Sequence, residues 1–508
     1  MILHSLQSSN SKTFFQTKKK LNKMATTTVE LIFIPLPVIG HMKSTIEIAK
    51  LLKNRDQRLS ITVLIMQPPS GLRTGSAIAT YIESLADKST QRMRYITLPQ
   101  PETLPTRDPK APMTFVNDYI NTHCKHVTNV VTEIISQSGS DKLSGFVVDM
   151  LCPGMIDVAN GFNVPTYVFV TSSAAYLGFE LYIQTLCDDQ NQDVVELTNS
   201  DGVVKVPGFV NPVPTKVFPS GYDTKEGVDY VLLISRKLRE AKAIMVNTFL
   251  EFETHAIESL TSDKSVPGVY PVGPVLNPVG GDNENSDSDV IKWLDSQPRS
   301  SVVFFCFGSL GCFNEVQVKE IAYALERSGH RFLWSLRQPP SPEQASRHSG
   351  DYEDPGVVLP EGFLDRIGES GKGKVIGWAP QMAVLAHSAV GGFVSHCGWN
   401  SVLESMWFGV PMAAWPIYAE QQMNAFEMVV ELGLGVEIKL DYKKDMYNPK
   451  NDIVTTEEIE SGIRRLMDDD EMREKMKDMG NMSRLTVRKG GSSYASVGLL
   501  IQDFIGNA

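Results

Sequence analysis

The sequence predicts an α/β protein with two doubly wound, Rossmann-like domains that face a central cleft. Three observations predict this fold. The chain has 508 residues, more than one ordinary hydrophobic core accommodates. Short apolar runs alternate with amphipathic helical segments in both halves, which is typical of parallel sheets covered by helices on both faces. A stretch rich in Pro, Gly, Asn and Asp at residues 270–289 separates the halves and is typical of a linker.

The elements can be assigned in order along the chain. In the first half, the expected strands are ELIFIP, ITVLIM, MRYITL, GFVVDM and PTYVFV, with helices over STIEIAKLLKNR and TFVNDYINTHCKHVTNVVTEIIS. In the second half, the expected strands are SVVFFCFGS, FLWSLR, KVIGWA, GGFVSH and PMAAWP. The helix NEVQVKEIAYALERSG has Asn314 as its N-cap and Gly329 as its C-terminal stop. The expected domains are residues 24–269 and 290–490, followed by a C-terminal segment at 491–508.

Composition and charge narrow the class of protein. The chain is 42% hydrophobic and 21% charged, as expected of a soluble globular protein, and its net charge of −11 argues against nucleic acid or an anionic membrane as the main partner. Its apolar tracts are too short to span a bilayer. Six scattered cysteines without a CxxC pair indicate a reducing compartment, with cytosol as the default. Residues 1–23 contain five lysines and no acid, and are interpreted as a disordered or upstream extension before Met24, with a transit peptide as the alternative.

The stretch HCGWNSVLESMWFG predicts an anion site where a strand meets a helix. His396 lies in the turn, and Asn400 and Ser401 lie at the helix start, where unpaired N–H groups and the helix dipole favour a diphosphate. Glu404 follows one turn later and is placed to accept hydrogen bonds from a vicinal diol such as ribose. The alternative is a capped helix with a solvated glutamate.

Three neighbouring strand ends suit the other parts of a nucleotide sugar. WAPQ offers the Trp378 ring for stacking a base and Gln381 for a hydroxyl. AEQQ places the Glu420 carboxylate beside amides, a combination that binds a polyol. FGS places Ser309 near phosphate, next to the flexible Gly308. Together these segments predict a nucleotide-sugar site.

Residues 378–421, WAPQMAVLAHSAVGGFVSHCGWNSVLESMWFGVPMAAWPIYAEQ, resemble the 44-residue signature of plant family-1 UDP-sugar glycosyltransferases, and the resemblance extends from about Val29 through PLPVIGHMKS to GGSSYAS. It implies the GT-B arrangement of two domains, with the C-terminal segment packing back on the first. It also implies the roles of the donor residues. Trp378, with Ala379 in the same motif, contacts uracil; Gln381 and Glu404 hold ribose; Ser309, His396, Asn400 and Ser401 face the diphosphate; Trp399, Glu420 and Gln421 contact the sugar. Gln421 favours glucose over galactose.

The first half supplies a candidate general base. His41 lies in the loop PLPVIGHMKS, just before a helix whose predicted capping box pairs Ser44 with Glu47, so the helix dipole is expected to keep the imidazole neutral. Asp149 ends the strand GFVVD and is the candidate partner that stabilises the protonated ring. The alternatives are a structural histidine and an exposed turn aspartate. The resemblance assigns the same His–Asp pair, and a single displacement predicts inversion at the anomeric carbon.

No metal site is expected. The acidic strings Asp287-Ser288-Asp289 and Asp468-Asp469-Asp470 are interpreted as solvated. The pair His123 and His126, which has no third ligand, is interpreted as surface or pocket-lining.

The acceptor is the least determined part. First-half segments that are apolar and aromatic predict a pocket for an uncharged alcohol or phenol. The candidate lining residues are Val38, Met113, Met150, Leu151 and Tyr418. The first half resembles enzymes acting on flavonoids, lignans and terpenoids. The expected partners are a UDP-sugar and this acceptor, without a cofactor, in a monomer. Two alternatives remain: a nucleotide-sugar epimerase and a catalytically silent nucleotide-sugar-binding protein of the same fold.

Overall fold

Two parallel β-sheets form the frame of the protein and confirm the predicted α/β class. The computed structural model describes residues 28–69, 75–108, 110–137, 142–277, 289–340, 350–443 and 452–507. The N-terminal extension at 1–23 and the pair Asp287-Ser288 lie outside the described residues.

The first sheet has seven strands and is formed by residues before 272. The strands of this half, including a small hairpin made by β6 and β7, are β1 Val29–Ile34, β2 Leu59–Ile65, β3 Met93–Thr97, β4 Lys142–Asp149, β5 Thr166–Val170, β6 Val203–Val204, β7 Val213–Pro214, β8 Ala243–Val246 and β9 Gly268–Pro271. The strand order is β3-β2-β1-β4-β5-β8-β9, and all pairs in the sheet are parallel. Tyr270 and Pro271, which the sequence analysis assigned to the linker, pair with β8 in this sheet.

Helices cover both faces of this sheet. They are α1 Ile39–Arg55, α2 Gly75–Glu83, α3 Pro112–Thr122, α4 Cys124–Gln137, α5 Gly154–Gly161, α6 Ala174–Asp188, α7 Val194–Thr198, α8 Lys225–Leu238 and α9 Thr254–Ser262, with 3₁₀ turns at Ala86–Lys88 and Thr215–Val217. Alternate residues of β1 enter two different cores: Leu31 packs in the core that contains Met42 of α1, and Ile32 packs in the core that contains Leu177 of α6. This alternation explains why ELIFIP is apolar throughout.

The second sheet has six parallel strands in the order β14-β11-β10-β15-β16-β17. The strands of this half are β10 Val302–Cys306, β11 Arg331–Ser335, β12 Arg337–Gln338, β13 Gly350–Asp351, β14 Gly373–Ile376, β15 Val390–Ser395, β16 Met412–Ala414 and β17 Gly435–Glu437, of which β12 and β13 form a separate antiparallel pair. The helices are α10 Asp289–Asp295, α11 Glu315–Ser328, α12 Phe363–Ser370, α13 Gln381–Leu385, α14 Trp399–Phe408, α15 Gln421–Phe426, α16 Thr456–Asp468, α17 Asp470–Thr486 and α18 Ser492–Gly506, with a 3₁₀ turn at Pro355–Val357 and a π-turn at Glu427–Glu431.

The C-terminal helix α18 returns to the first sheet. Its Phe504 ring meets Tyr167 of β5 with the ring centroids 4.5 Å apart, and Asp503 accepts a hydrogen bond from the Tyr167 hydroxyl at 2.5 Å. The carbonyl of Tyr494 accepts a hydrogen bond from Arg55 of α1 at 3.1 Å. The last helix therefore ties the end of the chain to the first domain.

One predicted helix is two. The segment expected as a single helix over 114–136 breaks at His123, which ends α3 before α4 begins. The His123 ring is fully buried, and its Nδ1 atom lies 3.1 Å from the Tyr119 carbonyl, so the ring competes for a carbonyl of the helix. The expectation that His123 lies at the surface or lines a pocket is therefore wrong.

Candidate active site

The topological switch points of the two sheets position the candidate site. In the first sheet, β1 lies between β2 and β4. The connection that follows β1 leads toward one edge of the sheet, and the connection that follows β4 leads toward the other edge. In the second sheet, β10 lies in the same way between β11 and β15. Doubly wound sheets bind ligands in the crevice at such points, outside the carboxyl ends of the strands. His41 and Asp149 come from the first of these points, and Ser309 and His396 from the second.

The first switch point brings His41 and Asp149 into contact. Nδ1 of His41 lies 2.8 Å from Oδ2 of Asp149, and Oδ1 of the same carboxylate accepts a hydrogen bond from the Leu151 backbone N–H at 3.0 Å. Asp149 is fully buried, whereas the His41 side chain is 26% exposed. The carboxylate therefore favours the tautomer protonated at Nδ1 and leaves Nε2 as the nitrogen that can accept a proton.

The helix that carries His41 begins earlier than predicted. α1 starts directly after Val38, without a side-chain cap, and the predicted capping box between Ser44 and Glu47 does not form. Ser44 lies in the second turn instead, where its hydroxyl is 3.1 Å from both the Gly40 carbonyl and Oδ1 of Asn400. The capping signal fails because the hydroxyl has partners in the preceding turn and in the second domain.

The predicted lowering of the His41 pKa is also wrong. Burial is the largest single influence and lowers the pKa, but the charge of Asp149, its hydrogen bond and the charge of Glu420 together raise it above the ordinary value. A carboxylate in hydrogen-bond contact acts more strongly on the imidazolium than the partial charge of a helix end. The pair is therefore suited to receiving a proton and stabilising it on His41.

In the second domain, an exposed tryptophan follows the end of β14. The Trp378 side chain is 49% exposed, and the guanidinium of Arg337 lies 5.2 Å from the centre of its ring. Ala379 behind it is 6% exposed. An indole that is supported on one side by a cation and open to solvent suits the stacking of a nucleic-acid base.

Gln381, Ser401 and Glu404 meet next to this tryptophan. The amide nitrogen of Gln381, at the start of α13, donates hydrogen bonds to the Ser401 hydroxyl at 2.9 Å and to Oε2 of Glu404 at 2.7 Å. Ser401 and Glu404 lie three residues apart on α14, about one turn of the helix. The cluster combines a carboxylate, an amide and a hydroxyl, which suits a diol.

The start of α14 presents main-chain N–H groups beside His396. This helix has Gly398 as its N-cap and no side-chain cap. Burial lowers the pKa of His396 to about 4, so its ring is neutral, and its buried Nδ1 has no hydrogen-bond partner among the described residues. Gly308 faces the other side of the ring with φ +71°, and Ser309 follows it. The arrangement suits a phosphate that lies against the helix N-terminus.

Asn400 makes a contact that the sequence analysis did not predict. Its Nδ2 atom donates to the Gly40 carbonyl at 3.2 Å, and its Oδ1 atom accepts from Ser44. Both polar atoms of its side chain therefore bind the first turns of α1, on either side of His41 in the sequence. The predicted role of this side chain at a diphosphate stays a prediction.

The Trp399 side chain contributes to the contact between the two domains. The indole is 2% exposed, its Nε1 atom donates to the Asn247 carbonyl at 2.8 Å, and its ring lies 5.8 Å from that of Phe252. The backbone N–H in the first turn of α14 is therefore the group of Trp399 that suits a ligand.

Glu420 and Gln421 lie at the start of α15, and Glu420 is within electrostatic reach of His41. Oε1 of Gln421 accepts hydrogen bonds from the backbone N–H groups of Ile417 and Tyr418, each at 3.0 Å, so its NH₂ group is the part that can bind a ligand. Burial raises the pKa of Glu420, while the positive charge of His41 lowers it, which places the two groups within electrostatic reach.

The predicted acceptor residues do not form one cluster. Met150 is 4% exposed in the core of the first domain, and Val38 and Leu151 pack against that core. Met113 is 39% exposed on α3, and Tyr418 packs against the core of the second domain. Three of the five residues are neither fully buried nor on the outer surface, and they lie close to site residues in the sequence: Val38, Leu151 and Tyr418.

Several residues of the site were missed by the sequence analysis. Thr171 directly follows β5, and its hydroxyl lies 2.9 Å from Nδ1 of His41. The rule that located Asp149 at a strand end also applies to Thr171. Arg337, whose guanidinium lies near the Trp378 ring, opens the short strand β12, and nothing in the sequence pairs it with that ring.

A buried acidic pair joins the two domains, and no local signal predicts it. Burial is the main cause that raises the pKa of both Glu253 and Glu427, and the negative charge of Glu253 raises the pKa of Glu427 further. Glu253 also accepts a hydrogen bond from the Ala175 backbone N–H at 2.7 Å. The charge of Glu253 therefore disfavours ionisation of Glu427 across the interface between the domains.

Among the described residues, no group of three or more His, Cys, Asp or Glu side chains is placed to hold a metal ion. No helix in the described part of the chain is long and apolar enough to cross a membrane.

Two facing Rossmann-like domains, each built on a parallel sheet, are the GT-B architecture of glycosyltransferases. Solved structures agree. A UGT from Siraitia grosvenorii in complex with UDP has a TM-score of 0.83 and 45% identity, covering 94% of this chain and all of that one. UGT71G1 of Medicago truncatula, complexed with UDP-glucose, has a TM-score of 0.81 and 40% identity, covering 94% of this chain and 99% of that one.

The family profile described as "UDP-glucoronosyl and UDP-glucosyl transferase" matches residues 112–482. The chain belongs to this family of UDP-glycosyltransferases. It is 52% identical to UDP-glucose flavonoid 3-O-glucosyltransferase 6 of Fragaria ananassa, over 92% of this chain and 97% of the relative. It is 50% identical to UDP-glycosyltransferase 71E1 of Stevia rebaudiana, over 94% and 98% of the two chains.

Proposed function

We propose that the protein transfers glucose from UDP-glucose to a hydroxyl group of a small hydrophobic molecule and forms a β-glucoside. The observation that carries the proposal is the contact between His41 and Asp149, which keeps one ring nitrogen available within electrostatic reach of Glu420 in the second domain. The solved UDP and UDP-glucose complexes of similar chains support a nucleotide sugar as the donor.

In the proposed reaction, Nε2 of His41 accepts the acceptor hydroxyl proton while that oxygen attacks the anomeric carbon. The bond from the anomeric carbon to the diphosphate oxygen breaks on the opposite face, so the α-linked donor gives a β-linked product. Asp149 stabilises the imidazolium as it forms. The N–H groups at the start of α14 stabilise the negative charge that develops on the leaving UDP, so that no metal ion or other cofactor is needed.

The donor parts are assigned on the same basis. Trp378 stacks on the uracil, the Gln381 and Glu404 pair binds the ribose, and His396 with Ser309 adjoins the diphosphate. The NH₂ group of Gln421 and the carboxyl of Glu420 bind hydroxyls of the glucose. The acceptor is an uncharged phenol or alcohol of the flavonoid, lignan or terpenoid kind, a proposal supported by the flavonoid named for the Fragaria relative.

The proposal includes the setting in which the enzyme works. No disulfide joins the six cysteines, all of which lie in the described part of the chain, and this suits a reducing compartment such as the cytosol. Trp399 and Asn400 of α14 bind the first domain, and Phe426 of α15 packs against Phe209 of that domain. These contacts assemble the site within one chain, so a monomer is sufficient. Light scattering of the purified protein tests this state.

The experiment is incubation with UDP-glucose, excess EDTA and a panel of phenols and terpenoid alcohols, followed by UDP release and product mass. A gain of one hexose, lost in His41→Ala, and a β anomeric proton in the NMR spectrum of the product are expected. Activity only with an added divalent metal would refute the metal-independent step. Binding of UDP-glucose without turnover of any acceptor would favour a silent binding protein instead.

A further inference from the structure

A cluster of buried polar side chains lies in the first domain around Glu180. Glu180 of α6 is 1% exposed, and its Oε2 atom has no hydrogen-bond partner among the described residues. The hydroxyl of Tyr230 on α8 is also buried without a partner in the described part of the chain, and the hydroxyl of Tyr222, which is 2% exposed, interacts only with that of Tyr176. Buried polar groups are normally paired, so the Glu180 oxygen and the Tyr230 hydroxyl indicate a missing ligand or bound water.

Charged groups of both domains act on this cluster. Burial raises the pKa of Glu180 to about 8, the Tyr176 hydroxyl lowers it, and the negative charge of Glu420 raises it. The pKa of Tyr230 is raised by burial and, among nearby charges, by those of Asp149 and Glu180. Glu180 is therefore within electrostatic reach of the proposed sugar-binding carboxylate, and Tyr230 is within reach of the catalytic pair.

Aromatic rings surround this cluster. Phe179, next to Glu180 in α6, lies 5.2 Å from Tyr222, 4.8 Å from Phe218 and 6.3 Å from Tyr176, measured between ring centres. A flat apolar molecule with a polar group at one end suits such surroundings. The protonated Glu180 carboxyl and the tyrosine hydroxyls can each donate and accept a hydrogen bond, whereas an alkyl group there would leave them unpaired.

We propose that Glu180, together with Tyr222, binds a second hydroxyl group of the acceptor, remote from the one that receives glucose, so that the enzyme prefers flat acceptors with hydroxyls at both ends. This inference rests on the proposed function and adds a specificity-determining residue to it. A site built to hydrogen-bond a hydroxyl discriminates strongly against an analogue that lacks it, because its own buried groups are then unpaired.

The test compares matched probes: 4-hydroxybiphenyl, 4,4′-dihydroxybiphenyl and 4-hydroxy-4′-methoxybiphenyl. For the unaltered protein, kcat/KM is expected to be at least about tenfold higher for the dihydroxy probe than for the other two, beyond the factor of two for its equivalent hydroxyls. Glu180→Leu is expected to abolish this preference mainly through the KM of the acceptor. Glu180→Gln is expected to retain part of it, since an amide also donates and accepts.

A matched control separates the carboxyl from the fold around it. The Ser235 hydroxyl on α8 donates to the Glu180 backbone carbonyl at 3.2 Å, so Ser235→Ala alters the packing of α6 without touching the side chain. This control is expected to keep the preference. Tyr222→Phe, which removes one oxygen, is expected to reduce the preference for the dihydroxy probe. This variant provides the test if a Glu180 variant does not fold.

The outcomes also distinguish the two proposals. Equal kcat/KM for the mono- and dihydroxy probes in the unaltered protein, or an unchanged ratio in both Glu180→Leu and Tyr222→Phe, would overturn the inference while leaving glucosyl transfer intact. Absence of transfer to any acceptor would overturn the proposed function itself. A preference that falls above about pH 8 in the unaltered protein but not in Glu180→Gln would support the protonated carboxyl as the binding group.

Discussion

Replacing Asp149 by asparagine tests the proposed proton transfer most directly. The change keeps the shape of the side chain and the acceptor for the Leu151 N–H, but it removes the charge 2.8 Å from Nδ1 of His41. An amide NH₂ group opposite Nδ1 favours the tautomer protonated at Nε2, which cannot accept the acceptor proton. Because a fully buried carboxylate is lost but the His41 ring is 26% exposed, we expect a cost of about 2–4 kcal/mol in the transition state.

That cost corresponds to a loss of roughly 30- to 1,000-fold in kcat, with little change in the KM for UDP-glucose. The acid limb of the pH–rate profile should also move to lower pH, because Asp149 is what raises the pKa of His41 against the effect of burial. Initial rates of UDP release between pH 5 and pH 9 measure both effects. Thr171→Val is the control, since it removes an uncharged neighbour 2.9 Å from the same nitrogen and should leave the profile in place. Asp149→Asn with the rate and profile of the unaltered protein would refute the reasoning.

Three further predictions address the donor site and the domain interface. Trp378→Ala should weaken UDP binding about 5- to 30-fold by calorimetry, because stacking on one base contributes roughly 1–2 kcal/mol; an unchanged Kd would exclude the ring as the base platform. Gly308→Ala, whose Cβ would lie 2.6 Å from His396, should lower UDP affinity more than tenfold. The control is Gly329→Ala, because Gly329 has a similar positive φ but faces open space, and this change should lower only the Tm. If both variants lost the same UDP affinity, the proposed phosphate site at Gly308 and His396 would be contradicted. Glu427→Gln should flatten the fall of Tm between pH 5.5 and pH 8.5. A carboxyl group whose pKa is raised by folding stabilises the folded protein fully at pH values below its unfolded pKa. That stabilisation is lost as the pH rises through the pKa of the folded state, and the amide removes this pH dependence. A steeper fall in this variant would contradict a raised pKa at Glu427.

The sequence predicted the strands well where they are long and apolar on both faces. GFVVD and SVVFFC are such runs, because parallel strands between two helical layers contact core on either side. AIMV at β8 was not assigned, since four residues do not distinguish a strand from part of a buried helix. The start of α1 was placed five residues late because Ser44 carries the residue type of an N-cap while its hydroxyl bonds elsewhere.

The site was predictable to the extent that it follows strand ends. His41, Asp149 and His396 were located in this way, and Thr171 obeys the same rule. Contacts that depend on how the domains dock were out of reach. No residue near Glu253 in the sequence indicates that its side chain lies beside that of Glu427. The local sequence pattern likewise does not indicate that the Trp399 indole donates to the Asn247 carbonyl.

The docking of the domains also determines where the proposed base lies. Asn400, in the first turn of α14, binds Gly40 and Ser44 on either side of His41. A shift of α14 away from the first domain would therefore release α1 at the turn that carries the base. The same helix end is the proposed diphosphate site, so Asn400 links that site to the turn of α1 that carries His41. The His41 ring itself is held within the first domain by Asp149 and Thr171, so the contribution of Asn400 is to fix the backbone around the proposed base rather than its ring.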